Sequence, residues 1–192
     1  MTTTINGTTG VSLCDTNSVP TAAIQVAAVT PAKLSQSLTL DTAQNTTSGT
    51  SIDFTSIPSW VKRITILFNG VSTNGTSPVQ VQIGAGSVDT TGYAGSATGL
   101  GAAASTNNYT SGFVLYTNND AAAATRVGHL VLDHLGGNVW VAAGIIGLTN
   151  VATTSVSAFN KTLSGSLDRL RLTTVNGTDT FDAGSVNILY EG

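Results

Sequence analysis

From Thr50 onward, apolar and polar residues alternate with period two in short runs closed by turn residues about 8 to 15 positions apart. That spacing constrains the chain more than any other feature, because strands of a sheet present successive side chains to opposite faces. In Lys62-Arg-Ile-Thr-Ile-Leu-Phe-Asn69, Ile64, Ile66 and Phe68 share one face while Arg63 and Thr65 share the other. In Val79-Gln-Val-Gln-Ile83 the valines and Ile83 point one way and both glutamines the other. Between these runs, Asn74-Gly75 offers the positive φ of a tight turn and Pro78 suits a strand start, so the two are expected to form a hairpin. Further strands are expected at Ser51 to Thr55, Phe113 to Thr117, Val127 to Asp133, Val139 to Ala143, Ser166 to Thr173 and Ser185 to Tyr190. Two glycine-rich connections, Gly84 to Ser111 and Asn118 to Thr125, read as loops, the first longer than connections usually are. The run Ala121 to Ala124 is too short to persist as a helix. The expected fold is all-β, a jelly-roll-like β-sandwich of about eight strands.

Residues 1 to about 45 carry no aromatic residue and only Asp15, Lys33 and Asp41 as charges. Ala22-Ala-Ile-Gln-Val-Ala-Ala-Val29 has too little side-chain bulk for a core of its own. This predicts an extended N-terminal arm, residues 1–45, that orders against other chains, followed by an outward domain, residues 46–192.

Charge decides which partners are open to such a surface. Only 9% of the 192 residues are charged, against about 25% in ordinary domains, and the net charge is −3. Hydroxyls, amides and backbone must cover the surface, and copies repel one another little, which favours assembly. Seven Lys and Arg spread along the chain form no basic stripe, so nucleic acid is not an expected partner. Cys14 is the only cysteine, which excludes an intrachain disulfide framework and a four-cysteine zinc site. With neither a basic n-region and apolar h-region at the N-terminus nor a stretch of 18 apolar residues, membrane insertion is not expected and the product is expected to start in the cytoplasm. Six Asn-x-Thr sequons, at Asn6, Asn45, Asn74, Asn108, Asn160 and Asn176, follow from the composition.

No catalytic constellation emerges, and no cofactor is expected. His129, Asp133 and His134 are the best metal or proton-transfer candidates, but on a strand His129 and Asp133 lie about 13 Å apart while His134 points to the opposite face. The carboxylates Asp53, Asp89, Asp168, Asp179, Asp182 and Glu191 could supply a glycosidase pair only if two converge within about 5 to 10 Å. Gly95-Ser-Ala-Thr-Gly-Leu-Gly101 lacks the lysine and following helix of a phosphate-binding loop. Thr117-Asn-Asn-Asp120 offers calcium one carboxylate only. Trp60 and Trp140 read as packing residues. For glycan or receptor binding, the candidates are Tyr93, Asn107, Asn108 and Tyr109, two tyrosines framing the long loop with amides beside one of them; the tyrosines would equally serve to pin that loop.

The run Gly49-Thr-Ser-Ile-Asp-Phe-Thr-Ser-Ile-Pro-Ser-Trp-Val-Lys-Arg-Ile-Thr-Ile-Leu-Phe-Asn-Gly-Val-Ser-Thr-Asn-Gly-Thr-Ser77, with the closing Phe181-Asp-Ala-Gly-Ser-Val-Asn-Ile-Leu-Tyr-Glu191, resembles the C-terminal domain of tailed-bacteriophage and prophage fibre-like proteins. Thr4-Ile-Asn-Gly-Thr-Thr-Gly-Val11 is similar to tail-fibre repeat sequence. The resemblance implies a virion structural protein without enzymatic activity, commonly a homotrimer, whose β-sandwich projects outward for host attachment while its N-terminal region holds other virion proteins. The chain is shorter than most such fibres and lacks a long repetitive shaft. A head fibre or capsid decoration protein therefore fits the length as well as a tail fibre does.

Overall fold

The computed structural model describes Gln36, residues 38–117, 121, 122 and 124–192. Among these residues there are fourteen strands and no helix. The large sheet runs in the order β1 (Thr39–Leu40), β14 (Phe181–Glu191), β4 (Arg63–Thr73), β10 (Arg126–Gly136), β11 (Val139–Leu148), β12 (Thr153–Thr162), β7 (Tyr93–Leu100) and β8 (Ser105–Tyr109), and β2 (Gln44–Asn45) also pairs with β14. The small sheet runs β3 (Ser51–Thr55), β13 (Arg169–Thr174), β5 (Val79–Ala85) and β6 (Ser87–Val88), with β9 (Phe113–Val114) on β5. Every pairing is antiparallel.

Alternation places the core. Ile64, Ile66 and Phe68 of β4, Leu130 and Leu132 of β10, and Trp140, Ala142 and Ile146 of β11 turn inward from the large sheet. They join Phe54, Val79, Val81, Ile83, Leu170 and Leu172 of the small sheet in one buried cluster. Each such side chain contributes about 1.5–3 kcal/mol by leaving water. The all-β expectation thus holds, with two antiparallel sheets sharing one core.

Three expectations are corrected. The run expected to pair β4 with β5 instead crosses between sheets: β4 pairs with β10 and β14, and β5 with β13, β6 and β9. Neither Asn74 nor Gly75 takes a positive φ. Their partners are distant in sequence: Asn74 N donates to Thr180 O, and Thr180 N donates to Asn74 Oδ1, both at 2.9 Å. Asp179 accepts from Ser77 N at 2.9 Å and from Asn176 Nδ2 at 2.6 Å. A Cβ at Gly75 would overlap the Asp179 carboxylate. Glycine is needed here for close approach, and Gly75→Ala should therefore act by displacing Asp179. We expect Gly75→Ala and Asp179→Ala each to cost about 1–2 kcal/mol. The double variant should lie within about 0.5 kcal/mol of the worse single one in urea unfolding, whereas independent effects would add.

Second, the expected loop from Gly84 to Ser111 contains β6, β7 and β8. Strand β7 keeps period two with inward Tyr93, Gly95, Ala97 and Gly99, of which the two glycines leave room for the Phe159 side chain over Gly95 and the Tyr116 ring over Gly99. Third, the compact domain begins at Gln36, so residues 36–45 do not belong to an arm. Their strands β1 and β2 pair with β14. The remainder of the expected arm, and with it Cys14, lies outside the described residues, as do Asn118 to Asp120.

Candidate functional site

The four residues singled out for ligand binding do not form one cluster. Tyr93 is 2% exposed, and its hydroxyl bonds to both the N–H and the C=O of Ile83 and to Asp89 O. Burial pushes its phenol well above the ordinary value. Tyr93 is thus a core pin and unavailable to stack on a ligand. Asn107 and Tyr109 face inward on β8 opposite Ala97 and Gly95, and Tyr109 packs against the core. Asn108 faces the other way, opposite Ser96.

The candidate catalytic groups are likewise dispersed. Asp133 pairs with Arg63 at 3.3 Å on the outer side of β10. His134 stacks on Trp140 at 5.0 Å between ring centres, and its Nε2 lies 2.7 Å from Gly137 O, beside a cavity of about 140 Å³. Lys161, buried, meets Asp89 at 2.8 Å over the Tyr93 ring. Asp168 is held below the usual carboxylate range, first by the Arg169 hydrogen bond and also by the Gly86 amide. Among the described residues no three His, Cys, Asp or Glu side chains gather to hold a metal.

What does converge is apolar. Register places Leu67 of β4, His129 of β10, Ile145 of β11, Val156 of β12 and Thr98 of β7 in one row across the outer face of the large sheet. The next row contains Leu40, Leu189, Thr65, Val131, Ala143 and Ala158. Leu100 of β7 stands on the same face beside Thr154. Leu40 is 61% exposed, Ile145 53%, Leu100 49%, Leu67 40% and Val156 39%. Five of the nine large exposed apolar side chains of the described residues therefore share one sheet face. Isolated exposed apolar residues need no explanation, whereas several on one face, here with His129, Thr98 and Thr65 among them, make it a candidate contact surface.

Strand β12 shows how the sequence builds this face. Its pattern is inverted: Ser155 and Ser157 are buried, their hydroxyls without a hydrogen-bond partner, while Val156 and Ala158 point outward. Burying a hydroxyl costs free energy and turning valine outward gains none, so this assignment is set by the neighbouring strand, where Gly99 and Ala97 stand opposite Ser155 and Ser157, and not by the pattern of β12 itself. At one rim, Arg63 lies between Asp133 and Glu191, at 3.3 and 3.6 Å. These exposed pairs contribute little stability, up to about 1 kcal/mol, but they leave the face without strong charge of either sign.

No protein-family model, curated protein or solved structure matches this chain.

Proposed function

We propose that this protein is a structural component of a bacteriophage particle, a short fibre that assembles as a homotrimer through the outer face of its large sheet and attaches the particle to the host surface. The sequence preceding Gln36 is its anchor to other virion proteins. The observation that carries the assembly is the group of exposed apolar side chains on one sheet face around Ile145 and Val156. Six neighbouring strands of eight or more residues, β14 to β7, span about 24 Å, and eight residues along them about 26 Å, a face on the order of 600 Å². Standard protein interfaces bury about 600–1,000 Å² on each partner, so the face reaches the lower end of that range. The occupant is another copy of this chain, because the apolar centre is bordered by a cluster of only one net negative charge, Arg63 between Asp133 and Glu191, so that like faces meet with little repulsion. The run Gly49 to Ser77 and the closing strand, by resemblance, supply the virion setting.

Attachment by this route is multivalent, with weak sites on several copies gaining strength when they engage together. It requires no catalysis. Electron microscopy of particles carrying a tagged chain should show the domain projecting from the particle, and particles lacking the chain should adsorb to host cells at least tenfold more slowly. Unchanged adsorption with reduced particle stability would move the assignment to a capsid decoration protein. Release of oligosaccharide from host polysaccharide by the purified protein would overturn the non-enzymatic reading.

A further inference from the structure

The opposite outer face, that of the small sheet, carries a groove of about 310 Å³ whose lining includes Ser51, Gln80, Gln82, Ser111, Arg171 and Thr173. Register explains the grouping: Thr173 on the central strand β13 pairs with Ser51 on β3 and Gln80 on β5, and Arg171 pairs with Asp53 and Gln82. Exposed sheet faces are usually covered by mobile solvated side chains, but here the amides are fixed. Gln80 and Gln82 point away from the core, yet are only 1% and 5% exposed, because the chain at Ser111 and Gly112 crosses over them. Ser111 Oγ donates to Gln80 Oε1 at 2.8 Å, Gln80 Nε2 donates to Thr174 O at 3.2 Å, and Gln82 Nε2 donates to Ser111 O at 2.8 Å. Thr173 Oγ1 donates to Thr50 O at 2.9 Å.

Arg171 completes the pattern. Its Nε and Nη2 donate to the two Asp53 oxygens, each at 2.7 Å, and this contact raises the guanidinium above its ordinary pKa. A guanidinium has five N–H donors, so the fork that grips Asp53 also aims further donors in a fixed direction. Its charge is balanced by Asp53. The groove thus offers hydroxyls and a guanidinium with no net charge above a floor of fixed amides, the complement of an uncharged polyol. Its volume is at the small end of ligand sites, about 300–1,000 Å³.

We propose that this groove binds a neutral saccharide of one or two sugar units, the hydroxyls being read by Arg171, Ser51, Thr50 and Thr90 over a floor fixed by Gln80, Gln82 and Thr173. This deepens the attachment reading and rests on it for its biological role. The binding itself is testable on purified full-length protein without particles.

The probes are maltose, lactose and N,N′-diacetylchitobiose at millimolar concentration, with 3′-sialyllactose as the acidic comparison, read by amide chemical shifts. At least one neutral disaccharide should shift the amides of Ser51, Gln82 and Thr173. Arg171→Gln and Ser51→Ala should each weaken that binding at least tenfold with the thermal midpoint nearly unchanged. Asn108→Ala, on the other sheet, should leave it unaltered. If no neutral probe moves the groove amides, if shifts cluster elsewhere, or if only the acidic probe binds, the assignment fails. Groove binding with normal adsorption of particles lacking the chain would overturn the attachment role and keep the site. The reverse pattern would keep the role and overturn the site.

Discussion

Phe113→Ala is expected to lower the unfolding free energy by about 4 kcal/mol, enough to remove much of the stability of a typical domain. Phe113 is fully buried on β9, whose register sets it against Val81 of the small sheet. Its ring meets Tyr93 of the large sheet edge-on, with centres 5.0 Å apart and planes at 88°, and lies 6.0 Å from Phe159 of β12. One side chain thus joins three strands from two sheets. Truncating it removes the transfer free energy of the ring and leaves a cavity that neither sheet can close alone. It also removes an aromatic pairing of about 0.5–1.5 kcal/mol. Phe113→Leu, which keeps most of the volume, should cost less than half as much. Urea unfolding with an unchanged denaturant slope is the measurement. A cost below about 1 kcal/mol for the alanine variant would mean that the two sheets do not share this core.

The elements legible in the sequence are those whose inward positions are large and apolar. β3 and β4 were readable because Phe54 or Ile64, Ile66 and Phe68 mark one face by themselves. β7 and β12 were not, because apart from Tyr93, Phe159 and Lys161 their inward positions hold Gly95, Ala97 and Gly99, or Ser155 and Ser157, residues that alone signal loop or surface. They face inward because a neighbour fills the space, and no local pattern records that. The same limit governs Asn74-Gly75, whose local turn chemistry yields to hydrogen bonds with Thr180 and an Asp179 carboxylate packed on Gly75. Of the site candidates, Asn108 lies on an outer face as a ligand residue must, while Tyr93 proved to be a pin. The outward direction of Gln80 and Gln82 was legible from alternation. Their enclosure was not, since it depends on Ser111, 31 and 29 residues away, and the Arg171–Asp53 fork spans 118 residues.

The apolar face leads to the other large expected effect: Ile145→Lys combined with Val156→Glu should weaken association of copies at least 100-fold. The two positions are direct cross-strand partners on β11 and β12, 53% and 39% exposed. In the separated chain the new lysine and glutamate stand opposite each other in water, where such a pair gains about 0.2–1 kcal/mol. That offsets part of the lost strand preference, a scale spanning about 1 kcal/mol. The fold of the single copy should therefore survive with its unfolding midpoint little changed. In the assembly the same two groups would be taken out of water at the centre of the contact. Dehydrating even a paired lysine and glutamate costs several kcal/mol per ion, more than apolar side chains of similar size. A 100-fold loss needs only about 2.7 kcal/mol of that. Sedimentation at micromolar concentration should give three chain masses for the unaltered protein and one for the double variant. Equal masses for the two would show that copies do not meet through this face. By contrast, the same exchange of charges at Asp133 and Arg63, on the rim, should change association by less than tenfold, because those groups remain hydrated when the centre closes.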